Sequence, residues 1–235
     1  MMYTNGLYID EIHTYHDWQL ICTSVTIDAP ERKTFYVSIP GRNGDLDLSE
    51  ALTNGPRFGN RSLAFTFMVR DSDMEKWHQK YSQIFNFCHH RRRRICLDTD
   101  PTYFYTGRLL VQSEKTFLGV PTFTLQVDAE PYKRTIFTSL DDWLWNPFDF
   151  ESDITRDYQA IQVVGEKMVV IEGSLMPIIP VIISSAPMGV VIKGKHYQLQ
   201  AGENNILDSY ITEDHDEWLF IGHGTITISY HWGQL

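Results

Sequence analysis

Apolar side chains recur at every second position through most of this chain, and at helical spacing in one place only. The clearest alternation is residues 61–70, where Leu63, Phe65, Phe67 and Val69 share one face, as in a strand with one buried side. Residues 15–27 alternate and become β-branched toward their end. Residues 34–39 are a short run of strand formers closed by Pro40-Gly41. Arg42-Asn43-Gly44-Asp45 reads as a turn, because Asn-Gly takes positive φ at little cost, and Asn54-Gly55-Pro56 marks a second loop. The exception begins where Ser72 and Glu75 form a capping box. Met74, Trp77, Tyr81, Ile84, Phe85 and Cys88 follow at spacings of three, four and seven. They draw one stripe along a helix of about five turns. Many strands and one amphipathic helix predict a mostly β fold with the helix packed on a sheet.

After the helix, residues 95–98 and 102–111 predict paired strands around Asp100-Pro101, and 117–127 a hairpin turning at Leu118-Gly119. Residues 141–150 are aromatic and irregular. From Ile161 onward strand follows strand: 161–164, 168–171, 178–184, 190–192, 196–199, 205–207, 217–221 and 225–232. Each is short and bounded by Gly, Pro or Asn, the pattern of a β-sandwich. Charge changes near the start of this second part. Residues 1–134 hold 16 Lys+Arg and 16 Asp+Glu, whereas 135–235 hold 4 and 14 and so carry the whole net charge of -10. That step predicts two domains, 1–134 and 135–235, joined near residues 132–139.

The acidic balance argues against binding nucleic acid over the whole surface. Three cysteines, Cys22, Cys88 and Cys96, are too few for a disulfide framework, and they read as small buried hydrophobes of a reducing compartment. The first residues lack the basic and apolar regions of a secretory signal. The longest apolar run, 178–183, is broken by Pro180, so the reading is a soluble protein made in the cytosol. Nucleophile elbows, phosphate loops, dinucleotide fingerprints and zinc-protease motifs are absent from the sequence. His13 and His16 on a strand-like segment would point to opposite faces, which disfavours a shared metal. Asp98 with Asp100 and Asp141 with Asp142 are local carboxylate pairs whose commoner use is in turns and caps.

Two groups of residues remain as candidates for interaction. Arg91, Arg92, Arg93 and Arg94 follow His89-His90. They read first as a solvated helix end whose cations offset the helix dipole, second as a docking surface for an acidic neighbour, and third as a DNA contact, for which four arginines without flanking basic residues supply few phosphate contacts. Tyr103 and Tyr105, on the hairpin-like segment 95–108, join them as a candidate subunit or partner interface. Trp143, Trp145, Trp218 and Trp232 could form a sugar-stacking platform, with core or interface packing as the commoner use of such rings.

Several segments together resemble a known family. Ile39-Pro40-Gly41-Arg42-Asn43-Gly44-Asp45-Leu46-Asp47-Leu48 is similar to the PGRNG-x-LDLS segment of the distal tail (Dit) proteins of long-tailed phages and prophages. Asn60-Arg61 with its Phe-rich strand, residues 97–108 (LDTDPTYFYTGR), 128–132 (DAEPY), Gly202-Glu203-Asn204-Asn205-Ile206 and the closing strand at 222–235 continue the pattern in order. The Arg91 to Arg94 run is not part of it.

The resemblance implies an N-terminal β-barrel-like domain with one helix and a protruding hairpin, followed by a galectin-like or carbohydrate-module-like β-sandwich. It implies a structural role and no enzymatic activity or cofactor. The first domain would close a homohexameric ring, a hub between the major tail tube protein and the tail-associated lysin or fibre protein. The lumen would pass the tape measure protein and then DNA, and receptor-binding or accessory baseplate proteins are further partners. The place would be the virion tail tip, assembled in the bacterial cytoplasm, with no membrane and no sequence-specific nucleic acid. A closed ring needs two different patches on each subunit. A neutral domain suits close packing of six copies, and an acidic one at the periphery keeps them soluble. Two rivals stand beside this reading. A carbohydrate-binding protein would show coplanar exposed tryptophans in a groove, and a glycoside hydrolase two facing carboxylates in a cleft.

Overall fold

The computed structural model describes residues 6–51, 53, 55–69, 74–112, 122–141, 158–207, 209–212 and 215–235, the side chains of 74–76 excepted. It divides into two compact units, Met1–Lys133 and Arg134–Leu235. Both are built from strands, and α1 is the one helix among the described residues. The expected hairpin turn at Leu118-Gly119, the capping box of Ser72 and Glu75, and the aromatic segment beyond Asp141 lie outside the described residues.

The first unit contains β1 (Leu7–Ile9), β2 (Ile12–His13), β3 (Leu20–Ile27), β4 (Tyr36–Val37), β5 (Leu46–Asp47), β6 (Arg61–Val69), α1 (Met74–Cys88), β7 (Arg92–Leu97), β8 (Asp100–Gln112) and β9 (Thr122–Ala129). Its main sheet runs β2-β1-β7-β8-β9-β6-β3, and β4 and β5 form a separate small hairpin. The alternation of β6 does what its sequence predicts. Leu63, Phe65 and Phe67 stand opposite Val127, Leu125 and Phe123 of β9, and all six are buried. Burying each such side chain stabilises by about 1.5–3 kcal/mol. The helix stripe lies on this face: Trp77, Ile84 and Cys88 are buried, and Tyr81 meets Phe123 edge-on at 6.3 Å. The helix is described over 15 residues. His90, with φ 57°, ends it in the left-handed conformation usual just past a helix.

Three sequence expectations are corrected here. The segment before β3 is a turn rather than a strand: Asp17 N donates to His13 O, Gln19 N to Tyr15 O, and Gln19 has φ 56°. Within β3 a bulge falls between Cys22 and Ser24. The extra residue reverses the alternation, so Cys22 and then Val25 and Ile27 face the same side, opposite Phe67, Phe65 and Leu63. Third, the β7–β8 hairpin turns at Asp98-Thr99, before Pro101, and β7 already includes Arg92, Arg93 and Arg94.

The short β10 (Lys133–Thr135) straddles the boundary. The second unit continues with β11 (Ile161–Ile171), β12 (Val181–Ser184), β13 (Met188–Ile192), β14 (Lys195–Leu199), β15 (Gly202–Asn205), β16 (Asp216–Ser229) and β17 (Gly233–Gln234). Residues 217–221 and 225–232, read as two strands, are mostly one long strand. β16 passes through Gly222 and Gly224 and pairs with β11 along all of β11's length. On its other edge β16 changes neighbour: 218–221 pair with β13 and 226–229 with β12. At the change, a Cβ on Gly222 would lie 2.7 Å from Met188 Cβ, and one on Gly224 2.7 Å from Ser185 Oγ. Both glycines also have φ near 150°, so they let the incoming chain pass close and let the strand bend. Trp218, Phe220, Ile226 and Ile228 fill the inner face.

Candidate functional site

The arginine run is split by strand alternation. Ile95 and Leu97 of β7 point into the core, and Arg93, two residues before Ile95, shares their side. Its guanidinium lies 3.9 Å from the Phe87 ring centre and donates to the Phe87 carbonyl from Nη2 at 3.1 Å. It also pairs with Asp10 at 2.9 Å, and Asp10 Oδ1 accepts from the Arg94 backbone N–H. Arg93 alone therefore answers the helix-end expectation. It caps a last-turn carbonyl and ties the helix end to the β1–β2 turn.

Arg92 and Arg94 face away from the core. Arg92 is paired with Glu130. Arg94 lies over the Phe104 ring at 5.1 Å, and neither it nor Arg91 has a carboxylate partner among the described residues. The register adds a residue that sequence reading missed. Arg108 of β8 stands directly opposite Arg92, and its Nη1 donates to the His90 carbonyl at 2.7 Å with no carboxylate among the described residues. Only the register reveals this pairing, because 16 positions separate the two in sequence. Beside Arg108 is a depression of about 410 Å³, also lined by Asn60, Ser62, His90, Gln126 and Asp128.

The two tyrosines do not extend this surface as expected. Tyr105 is only 7% exposed and faces the core opposite Ile95, under the Arg61 guanidinium. Tyr103 is half-buried beneath Lys133, whose ammonium lies 4.4 Å from the ring centre and pairs with Asp100 at 2.6 Å. Among the tryptophans, Trp143 and Trp145 lie outside the described residues. Trp218 is fully buried between Val169 and Ile192 of its neighbouring strands, so its ring faces are closed to a sugar. Trp232 is half-buried, with its carbonyl accepting from Thr135 N–H.

Two further groups have assigned partners. His13 and His16 do not diverge: the turn brings their rings to 4.5 Å. His13 Nδ1 accepts the N–H groups of Tyr15 and His16, so Nε2 carries the proton donated to Asp98, 3.0 Å away. Asp98 also accepts from Gly6 N–H. With both ring nitrogens occupied, the pair joins two turns and offers neither a free base nor a metal ligand. No group of three or more metal-ligating side chains occurs among the described residues.

Edge strand β3 is the other notable surface. Its sequence, Leu-Ile-Cys-Thr-Ser-Val-Thr-Ile, contains no charge and no proline. No strand pairs with its outer edge among the described residues. Val25 is 49% and Ile27 36% exposed, although both stand on the core-facing side. Native edges are normally protected by charge, proline or cover, so a bare edge of this length fits a strand or sheet from elsewhere.

No model of a known protein family matches the chain, and no curated protein does. Among solved structures, the chain is similar to the crystal structure of SPP1 Dit (gp 19.1), described as a paradigm of the hub adsorption apparatus in phages that infect Gram-positive bacteria. The likeness covers 98% of this chain and 99% of that one, with a TM-score of 0.56 and 12% sequence identity.

Proposed function

We propose that this chain is a structural hub subunit of a phage tail tip. Its first unit closes a homohexameric ring between the tail tube and a tail-associated lysin or fibre protein, around a lumen for the tape measure and DNA. The observation that carries this reading is the likeness to a hub protein through both units, over nearly the whole of each chain. The bare β3 edge supports it physically, because a ring needs heterologous contacts and an unpaired strand supplies one half of such a contact. The local carboxylates Asp98 and Asp100 are tied to His13 and Gly6 and to Lys133 respectively. A sugar-stacking platform loses support through the burial of Trp218.

The reading places the protein at the far end of the tail. Antibody raised against the purified chain, applied to particles of the phage that encodes it and imaged by electron microscopy, should mark the distal tip. Label on the capsid, along the tube or nowhere on the particle would contradict it.

A further inference from the structure

The outward face of β7 and β8 carries Arg92, Arg94 and Arg108, of which only Arg92 has an ion-pair partner among the described residues, while Asp128 of β9 stands opposite Arg108. Arg92 and Arg108 are directly opposite each other, an arrangement that is destabilising between like charges, and Arg94 follows on the same side. Glu130 pairs with Arg92. Arg94 and Arg108 are exposed, Arg94 over the Phe104 ring and Arg108 bonded to the His90 carbonyl, and Arg108 lines the depression together with Asp128. Guanidinium groups held in place without an anion are preorganised for carboxylates.

The second unit offers the complement. On the outer face of β11 and β16, the register aligns Met168 with Leu219, Val170 with Glu217 and Glu166 with Ile221. Met168, Val170 and Ile221 are exposed there between Glu166 and Glu217, and exposed Val164 continues the same face beyond Glu166. Neither glutamate has an ion-pair partner among the described residues. Two exposed carboxylates beside apolar side chains are opposite in charge to two exposed arginines that have no ion-pair partner among the described residues.

We infer that the arginine face of one copy docks on the glutamate-flanked face of the second unit in a neighbouring copy. This rests on the ring reading and adds a second contact to it. Two full-length double variants test it, Arg94→Glu with Arg108→Glu, and Glu166→Lys with Glu217→Lys, with folding checked by circular dichroism. Sedimentation should show each alone assembling about tenfold or more weakly than the wild type, and increasingly so as salt is lowered, because like charges then repel more. An equimolar mixture should assemble again, since a ring of even number can alternate the two and every contact is then complementary. Gln at the same positions replaces any variant that does not fold, and should weaken assembly less. Variants that assemble like the wild type overturn the inference and leave the ring reading standing. Variants that fail singly and stay apart when mixed also overturn it, because a contact within one chain is not restored by mixing. A wild type that does not associate at any salt overturns both.

Discussion

At the scale of single residues, polar groups in the first unit act as fasteners. Both nitrogens of His13 are engaged, one by two backbone N–H groups and one by Asp98. His13→Ala would strand those donors and a carboxylate, so we expect a loss of about 2–4 kcal/mol, read as a lower denaturant midpoint. Gly107 is fixed by space rather than by φ. A Cβ there would lie 2.6 Å from Val127 Cγ1 and 2.7 Å from the Asp128 carbonyl. Gly107→Ala should therefore cost about 1–3 kcal/mol through overpacking, measured in the same way. Cys88 gives a prediction with a pH sign. Burial pushes its thiol up to about 12, with nearby Arg93 pulling the other way. The folded state therefore keeps a proton that the unfolded state releases near pH 9. Its contribution to stability is full below pH 9 and is lost as pH rises toward 12. Labelling at pH 8 should leave Cys88 unmodified until the protein unfolds, and rapid labelling of the native protein would contradict that burial.

At the scale of elements, what was legible in the sequence was whatever depends on local periodicity. The β6 alternation and the stripe from Trp77 to Cys88 each announce a face, and each face is buried. Features that depend on the partner strand were not legible. The β3 bulge reverses a period-two pattern, and only pairing with β6 shows it. Arginine is a poor guide to the end of a helix when a strand follows closely, so the run at 91–94 read as a helix end although three of its members belong to β7. Residues 217–221 and 225–232 read as two strands bounded by glycine, because glycine ends strands more often than it marks a bend inside one long strand. The β3 edge yields a prediction at this scale. Val25→Lys with Ile27→Lys replaces two half-covered side chains on the core-facing side, so the monomer should lose about 1–3 kcal/mol and remain folded. Self-association should fall sharply, because lysines protect an edge. Analytical ultracentrifugation beside thermal melting separates the two effects.

At the scale of the whole molecule, two compact units differ in charge, and each has a surface without a described partner. The edge β3 belongs to the near-neutral first unit, and the strip flanked by Glu166 and Glu217 to the acidic second. The proposed contacts use the β3 edge and the arginine face of the first unit and the glutamate-flanked face of the second, distinct patches of the kind a heterologous ring needs. The proposed hub depends on closure of that assembly, and absolute mass reports closure directly. Light scattering on a size-exclusion column should give a species about six times the 27.3 kDa of one chain, growing as protein concentration rises and absent from the β3 lysine variant. A strict monomer at every concentration and salt, in wild type and variant alike, would contradict the account.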